Sequence, residues 1–298
     1  MMLREASFAK RFATWGDLLH WGQKELEGLG EIEAQASTEW LLQEISGLDR
    51  SRLYLDTKKV VPAARLKVFK KLIALRKKRV PAAYLLQKSY FWNEELRVGR
   101  GCLIPRPETE VLVERFIERS GFSKSDRFRF IDLGSGTGAI GIALLRHFQK
   151  AAGTFVDISR KAVKTTRDNL SSYRLLDRAE VLESDLFQKL ESPSHFLKYE
   201  AIVSNPPYLA KEDWYDLEPE IFFEPRRALD GKKDGLYFYR SIVREAFNFL
   251  TPGGILMMEM GKGQAEQVKD LLEKTFFTKI EIFKDHAGLD RVIMGRRV

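Results

Sequence analysis

The sequence predicts an α/β protein in which a small all-helical N-terminal domain precedes a domain built on a parallel sheet. From Phe128 onwards, strand and helix patterns alternate, which is typical of a parallel sheet. A glycine-rich turn, Gly134 to Gly138, joins the first of these strands to a helix. Before about Lys88, the apolar residues recur at helical spacing without any strand pattern.

These patterns divide the chain into three segments. Its 298 residues are enough for two ordinary domains. We predict a helical domain over residues 1–88, a β-hairpin and linker over residues 89–105, and the α/β domain over residues 106–298. The helical domain has no glycine-rich phosphate loop, so we expect it to recognise a substrate or partner rather than to catalyse a reaction.

Composition describes a globular protein suited to a reducing compartment. Hydrophobic residues make up 44% of the chain and charged residues 31%, which excludes a disordered chain. Cys102 is the only cysteine, so no intramolecular disulfide can form. The histidines are scattered without metal-ligand spacing, and we expect no metal. No apolar run is long enough to cross a membrane, and Met1 to Arg11 lack the layout of a signal peptide, so we expect a cytoplasmic protein.

A basic run distinguishes the helical domain, in a chain whose net charge is +8. Ten lysines and arginines and no acids lie between Lys58 and Arg79. Leu66, Phe69 and Ile73 recur within the run at helical spacing, which predicts an amphipathic helix with a basic outer face. Such a face is either solvated surface or a contact for a polyanion such as RNA or the ribosome, and the sequence leaves both interpretations open.

A stiff proline-rich corner precedes the α/β domain. Leu103 to Glu110 read LIPRPETE, and a helical pattern carrying Val111, Leu112 and Phe116 follows. The acids of the corner stand where a helix N-terminus favours negative charge. A structural cap explains the corner without any function, and a lid or wall of a ligand pocket also fits it.

Four strand ends carry polar side chains to one edge of the predicted sheet. The residues at these ends are Asp132, Asp157, Asp185 and Asn205. Because the carboxyl ends of parallel strands share an edge, we expect these side chains to lie along one crevice. Asp157 follows the glycine turn at the distance typical of an acid that binds ribose hydroxyls. Asp185 can accept from an adenine amino group, with Leu186 covering the ring.

The glycine turn favours one class of cofactor over another. It reads Asp-Leu-Gly-Ser-Gly-Thr-Gly from Asp132, so an acid stands at its start. A carboxylate there would repel a pyrophosphate but suits the positive sulfonium and amino groups of S-adenosylmethionine. The glycines of the turn and of the helix after it are Gly134, Gly136, Gly138 and Gly141. The predicted contacts of the cofactor are Gly134, Ser135, Gly136, Thr137, Gly138, Asp157, Asp185 and Leu186.

The segment Ala201 to Tyr208 predicts a buried strand that stops at a rigid polar corner. Two consecutive prolines end the strand, since neither has an N–H to donate. Pro206 also holds Asn205 in an extended conformation. The corner therefore fixes a side-chain amide and free backbone carbonyls at the ligand-binding edge. A proline-stiffened connecting loop is the alternative interpretation of the corner alone.

Several motifs together resemble a known family. Asn-Pro-Pro-Tyr after a fourth strand is similar to the amino methyltransferases, which act on planar nitrogens of DNA, RNA or protein glutamine. The longer pattern resembles the release-factor glutamine methyltransferases of the HemK type. The motifs are LIPRPETE, IDLGSGTGAI, SNPPY, EPRRALDG with DGL after it, and MEMGKGQ, and the likeness runs from about Thr14 to the C-terminus. One departure is Leu186, where some members carry an aromatic residue.

This resemblance implies a Rossmann-like class I S-adenosylmethionine-dependent methyltransferase domain behind a helical substrate-recognition domain. It implies S-adenosylhomocysteine as product, and as substrate the glutamine of the Gly-Gly-Gln motif in class 1 peptide chain release factors. The implied catalytic residues are Asn205, Pro206 and Tyr208. The implied substrate contacts are Asn205, Pro206, Pro207 and Tyr208. The implied further cofactor contacts are Arg106, Pro107, Thr109 and Asn205.

Two functions other than release-factor methylation stay open at this point. For all three functions we expect a monomer without membrane contact. A DNA or RNA base methyltransferase would use the same corner on an exocyclic amine of a flipped base. The basic run favours it, whereas the LIPRPETE match and the lack of a separate nucleic-acid domain disfavour it. A non-catalytic RNA- or ribosome-binding protein is the other alternative, and the intact acids at the strand ends argue against it.

Overall fold

A computed structural model describes residues 14–191, 195–196 and 198–298. The chain divides into two compact units, Met1–Gln87 and Lys88–Val298. Within the described ranges, no helix is both long and apolar enough to cross a bilayer. The expectation for Met1 to Arg11 concerns residues outside these ranges.

The first unit is built from short helices around one apolar core. Its helices are α1 (Trp15–Glu25), α2 (Glu31–Ser46), α3 (Arg50–Leu55), α4 (Ala63–Arg76) and α5 (Ala82–Leu86). The side chain of Thr14 accepts a hydrogen bond from the Asp17 amide and caps α1, and Asp49 caps α3 in the same way. The residues buried between the helices include Leu18, Leu41, Leu42 and Phe69.

The basic run is used partly inside this unit. Arg76 is only 2% exposed, and its guanidinium donates to Glu33 Oε1 at 2.8 Å and to Ser37 Oγ at 2.9 Å. Lys77 Nζ lies 2.8 Å from Glu25 Oε2. The expectation of an outward face is therefore wrong for Arg76, because partners on a neighbouring helix compensate the burial of its charge. The exposed lysines of the run include Lys58, Lys67, Lys71 and Lys78.

The second unit contains a hairpin and a seven-stranded mixed sheet. Its strands are β1 (Lys88–Phe91), β2 (Glu94–Arg97), β3 (Arg129–Leu133), β4 (Ala152–Asp157), β5 (Ala179–Glu183), β6 (Tyr199–Ser204), β7 (Leu250–Glu259), β8 (Phe277–Lys284) and β9 (Asp290–Arg297). The sheet order is β5-β4-β3-β6-β7-β9-β8. Strands β3 to β7 are parallel, and β9 pairs antiparallel with both β7 and β8. The predicted α/β class is confirmed.

Helices cover both faces of this sheet. They are α6 (Glu110–Arg119), α7 (Ala139–His147), α8 (Arg160–Ser172), α9 (Tyr237–Phe249) and α10 (Ala265–Glu273). Phe130 packs with Phe116 of α6 in one buried cluster, whereas the next residue, Ile131, packs with Tyr239 of α9 in another. Successive side chains of a strand point to opposite faces, so the sheet lies between two helical layers.

The hairpin of β1 and β2 belongs to the packing of the second unit. The two strands pair antiparallel, and Phe91 and Leu96 enter the same buried cluster as Phe130. Tyr173, directly after α8, also donates from its hydroxyl to the Glu95 carbonyl at 2.8 Å. The boundaries that we place at residues 88, 105 and 106 stay predictions.

Candidate active site

The sheet order places a switch point between β3 and β6. From β3 the chain moves outward to β4 and β5, and it then returns to β6 on the other side of β3. At such a point the connections leave in opposite directions and open a crevice at the carboxyl ends of the strands. The glycine turn follows β3, and Asn205 to Tyr208 follow β6. The structure thus brings these two motifs to one crevice.

The glycine turn is held from one side and open on the other. The amides of Gly134 and Ser135 donate to the Val156 carbonyl at 2.8 and 3.0 Å. Gly134, Gly136 and Gly138 have φ values of +73°, +59° and +83°, a region that favours glycine. A Cβ atom at Gly134 would meet no atom within 4 Å. A ligand can therefore approach the backbone of this turn closely.

The side chain of Ser135 and the backbone of Gly136 and Thr137 hold the turn against α8. Ser135 Oγ lies 3.5 Å from Thr166 Oγ1, and the same threonine hydroxyl donates to the Gly136 carbonyl at 3.1 Å. The Thr137 carbonyl accepts from Asn169 Nδ2 at 2.8 Å. These contacts fix the turn from α8, so that its free side keeps one conformation.

Asp157 adjoins the turn at the end of β4. Its carboxylate accepts from the Gly136 amide at 2.9 Å and from the Ser159 amide at 2.7 Å. Burial raises the pKa of this carboxyl group. A carboxylate has about four acceptor positions, so positions for two ligand hydroxyls are left over.

Asp185 and Leu186 follow β5 at the same edge. Asp185 is exposed, and Leu186 is half-buried with φ at +44°. A left-handed conformation costs an L-residue with a Cβ atom about 1–2 kcal/mol. Strain of this kind is concentrated at ligand sites, which is compatible with the predicted adenine contact.

Asp132 is enclosed beneath the turn. It is 1% exposed, and its Oδ2 accepts from the Gly141 amide in the first turn of α7 at 2.9 Å. Burial raises the pKa of Asp132 to about 7, and the neighbouring charge of Asp157 acts in the same direction. Asp132 is therefore enclosed by protein, where it can influence the crevice only through its charge.

The Asn-Pro-Pro-Tyr corner presents two open acceptors. Asn205 is half-buried, and its Nδ2 donates to Thr109 Oγ1 at 3.0 Å. Among the hydrogen bonds of the described residues, none is donated to Asn205 Oδ1 or to the Pro206 carbonyl. The amide side of Asn205 is thus anchored, while its oxygen and the adjacent carbonyl are available to a ligand.

Tyr208 is fixed by two polar contacts and by the close packing of glycines around it. Its hydroxyl donates to Glu259 Oε1 at 3.3 Å, and its carbonyl accepts from Gln264 Nε2 at 2.9 Å. A Cβ atom at Gly261 would lie 2.9 Å from the Tyr208 ring, and one at Gly231 would lie 2.8 Å from the Tyr208 Cα atom. Larger residues at these glycines would displace the tyrosine.

The LIPRPETE corner contacts an acid that is far away in the sequence, Glu224. Glu224 is 6% exposed, accepts from the Ile104 amide at 2.9 Å and forms an ion pair with Arg106. Pro107 is exposed and begins a 3₁₀ helix, while Thr109 is buried. The side chains of Arg106 and Thr109 are engaged with protein groups, and their cofactor contacts stay predictions.

Sequence reasoning did not identify Glu224, Glu259 or Gln264 as site residues. Glu259 is 1% exposed and accepts from Thr109 Oγ1 at 2.6 Å. An acid between the methionines of a buried strand is unusual, and this signal was present in MEMGKGQ. Glu224 lies in EPRRALDG, within the long irregular segment after Tyr208 that the sequence predicts as either a substrate-facing loop or a simple connection. Among the described residues, no group of three or more His, Cys, Asp or Glu is placed to hold a metal ion.

Comparison with known proteins reveals both family models and relatives. The Methyltransferase small domain matches residues 107–237, and the PrmC N-terminal domain matches residues 17–86. The release factor glutamine methyltransferase of Geobacter sulfurreducens is 37% identical over 280 residues, which covers 94% of this chain and 95% of that protein. The protein of the same name from Aquifex aeolicus is 35% identical and covers 92% and 95%.

A solved structure agrees with the fold. The 16S rRNA N2 G1207 methyltransferase of T. thermophilus, in complex with AdoMet and guanosine, superposes with a TM-score of 0.53. It is 20% identical, and the match covers 71% of this chain and 50% of that chain. At this identity the likeness concerns the fold alone.

Proposed function

Because the chain belongs to the family of release factor glutamine methyltransferases, we propose that it methylates a glutamine of class 1 peptide chain release factors. The methyl donor is S-adenosylmethionine, and the acceptor is the side-chain amide nitrogen of the glutamine in the Gly-Gly-Gln motif. We propose the cytoplasm as the compartment and a monomer as the active form.

The observation that carries this proposal is the pair of open acceptors at Asn205 Oδ1 and the Pro206 carbonyl. A primary amide has two N–H donors on one planar nitrogen. Two acceptors fixed by a proline corner hold both hydrogens and so set the direction of the nitrogen lone pair. A substrate with one or no N–H at the reacting atom would leave an acceptor unmatched.

Apart from this positioning, methyl transfer to the amide nitrogen requires few further groups of the chain. An amide nitrogen is a weak nucleophile because its lone pair is delocalised into the carbonyl. As the methyl group is transferred, positive charge develops on the nitrogen, and the acceptor dipoles of Asn205 and Pro206 stabilise it. The methylated nitrogen is strongly acidic and releases its proton without a dedicated base. Tyr208 and Pro207 then form the wall against which the planar amide lies.

The residues along the crevice fit S-adenosylmethionine. The open face of Gly134 admits the backbone approach that such a ligand needs, and Asp157 has acceptor positions for ribose hydroxyls. We propose Asp185 and Leu186 for the adenine, and Asp132 for charge stabilisation from beneath the turn. When bound, the cofactor supplies an electrophilic methyl group on a positive sulfur.

Replacing Asp157 with alanine is expected to weaken cofactor binding. Loss of hydrogen bonds to a charged acceptor costs about 1.5–3 kcal/mol, which raises Kd about 10- to 150-fold. Isothermal titration calorimetry with S-adenosylmethionine measures this change. Asp168→Ala is the control, since Asp168 pairs with Lys164 on the solvent side of α8. An Asp157→Ala protein with the wild-type Kd would remove Asp157 from the ribose site.

The proposed function is tested by methyl transfer from labelled cofactor. Purified class 1 release factor, tRNA, rRNA and DNA are offered separately at equal concentration. Label in the release factor, located by mass spectrometry at the Gly-Gly-Gln glutamine, is the expected result. Label in nucleic acid alone would instead favour the base methyltransferase.

The exposed part of the basic run supports a second proposal, a contact with a polyanion. Lys67, Lys71 and Lys78 are exposed. If they meet phosphates, reversing all three to glutamate should weaken association with RNA or ribosomes. The slope of log K against log salt should then fall by about one unit for each lysine. Filter binding over a salt series measures both quantities.

The matched control for this prediction reverses three lysines of the second unit, Lys198, Lys269 and Lys274. The control carries the same change in net charge without touching the basic run. Equal affinities and slopes for both triple variants would identify the run as solvated surface.

A further inference from the structure

A chain of hydrogen bonds beneath the crevice connects Asn205 to a buried acid. Asn205 Nδ2 donates to Thr109 Oγ1 at 3.0 Å, and the Thr109 hydroxyl donates to Glu259 Oε2 at 2.6 Å. Thr109 is 4% exposed and Glu259 is 1% exposed. Glu259 has no part in the chemistry described so far, and Thr109 enters it only as a predicted cofactor contact.

The direction of these hydrogen bonds follows from the number of hydrogens available. An ionised carboxylate only accepts, so the single hydroxyl hydrogen of Thr109 is committed to Glu259. Thr109 Oγ1 can then only accept, and of the two ends of the Asn205 carboxamide only the NH₂ group can donate to it. Asn205 Oδ1 is consequently turned away from Thr109. An isolated carboxamide has no such preference, since its two ends are nearly equal in shape.

We propose that Thr109 and Glu259 are positioning residues that orient the Asn205 carboxamide, with Oδ1 presented to the amide hydrogens of the substrate. The inference deepens the proposed function and rests on it for the identity of that substrate. It predicts that the ionised form of Glu259 is the competent one. A protonated Glu259 can donate to Thr109, which frees the threonine hydrogen for Asn205 Oδ1 and favours the flipped carboxamide.

The groups that face Glu259 come from several elements. Arg291 of β9 and the hydroxyls of Thr109 and Tyr208 favour its charged form, whereas Glu108 opposes it. Tyr239 of α9 donates to the Glu259 carbonyl at 3.1 Å. Burial outweighs these contacts and raises the pKa of Glu259 to about 7. The switch between the two carboxamide orientations is therefore expected near neutral pH.

The side-chain amide of Asn205 reports its own orientation in solution. The chain contains only four asparagines, so selective ¹⁵N-asparagine labelling gives four NH₂ signals, and Asn205→Asp identifies the one of interest. In the wild-type protein this signal should shift with a midpoint near pH 7. The shift should disappear in Glu259→Gln, which cannot titrate, and in Thr109→Val, which lacks the hydroxyl.

Methyl transfer to the release factor provides the second measurement. Thr109→Val should lower kcat about two- to tenfold at pH 8 and flatten the decline of kcat below pH 7, while the Kd of the cofactor stays within about twofold. Thr109→Ser keeps the hydroxyl and should restore both kcat and the decline. Thr154→Val is the matched control, because Thr154 is an equally buried threonine whose hydroxyl pairs with Tyr199 at 3.2 Å.

The two measurements separate the two proposals. A titrating Asn205 signal that depends on Thr109 and Glu259, in a protein without activity on release factor, would support the orientation and overturn the proposed function. Active Thr109→Val with the wild-type pH profile and an unchanged Asn205 signal would overturn the positioning role alone. A cofactor Kd raised in both Thr109→Val and Thr109→Ser would also overturn it, since that result places Thr109 at the cofactor.

Discussion

Replacing Asn205 with alanine is expected to lower kcat about a hundredfold or more and to leave cofactor affinity nearly unchanged. The substitution removes one of the two open acceptors at the corner, and loss of a preorganised transition-state partner has an effect of this size. The glycine turn and Asp157 lie on other strands and keep their contacts. Single-turnover methylation of release factor and calorimetry with S-adenosylmethionine measure the two quantities separately.

Asn205→Asp tests whether the side chain at this position accepts a hydrogen bond from the substrate or donates one to it. Aspartate keeps an oxygen where Oδ1 stands, but its second oxygen meets the Thr109 hydroxyl, whose hydrogen is committed to Glu259. We expect activity between that of alanine and wild type. Asn248→Ala on the solvent side of α9 is the control and should be fully active. Wild-type kcat in both Asn205 variants would exclude the proposed mechanism.

Features specified by neighbouring residues were predicted well from the sequence. The glycine turn lies at the predicted residues and the predicted helix follows it as α7, because φ preferences and helix spacing are local properties. The corner after β6 also lies where the two prolines predict it. Arg76 was misplaced, since helical spacing alone does not reveal that Glu33 and Ser37 on α2 compensate a buried charge.

Features that depend on residues far apart in the sequence were not predicted. Thr109 and Glu259 are 150 positions apart, and Ile104 and Glu224 are 120 positions apart. No local pattern pairs such residues, because the sheet order that unites them is a tertiary property. The sequence marked both acids through their motifs, and only the structure connects each of them to the crevice.

The buried carboxyl group of Asp132, beneath the proposed cofactor crevice, lowers the stability of the fold. Its carboxyl group is buried, and its pKa is raised to about 7 from an ordinary value of 3.8. In the unfolded chain the group ionises near its ordinary value, so between these two pH values folding requires uptake of a proton. The penalty grows with pH across this window and reaches about 4 kcal/mol above pH 7.

Replacing Asp132 with asparagine is therefore expected to stabilise the protein without cofactor, and to do so increasingly as pH rises. Asparagine keeps an oxygen for the Gly141 amide and removes the buried charge. The gain in the free energy of unfolding should rise from below about 2 kcal/mol at pH 5 to about 4 kcal/mol at pH 8. Urea unfolding monitored by circular dichroism at both pH values measures it. Cofactor affinity should fall in the same variant, because the negative charge beneath the turn is lost.

At a surface carboxylate, Asp126, the same substitution is expected to lower the free energy of unfolding. Asp126 accepts from the Ser123 amide at 2.8 Å, and this hydrogen bond lowers the pKa of Asp126. Its ionised form stabilises the fold above its unfolded pKa, so Asp126→Asn should reduce stability at pH 8.

The Asp132→Asn experiment has two outcomes that would contradict this explanation. A gain in stability that is the same at pH 5 and pH 8 would attribute the effect to packing. A loss of stability at both would mean that the charge at Asp132 is compensated inside the fold, and that the turn depends on it for structure as well as for binding.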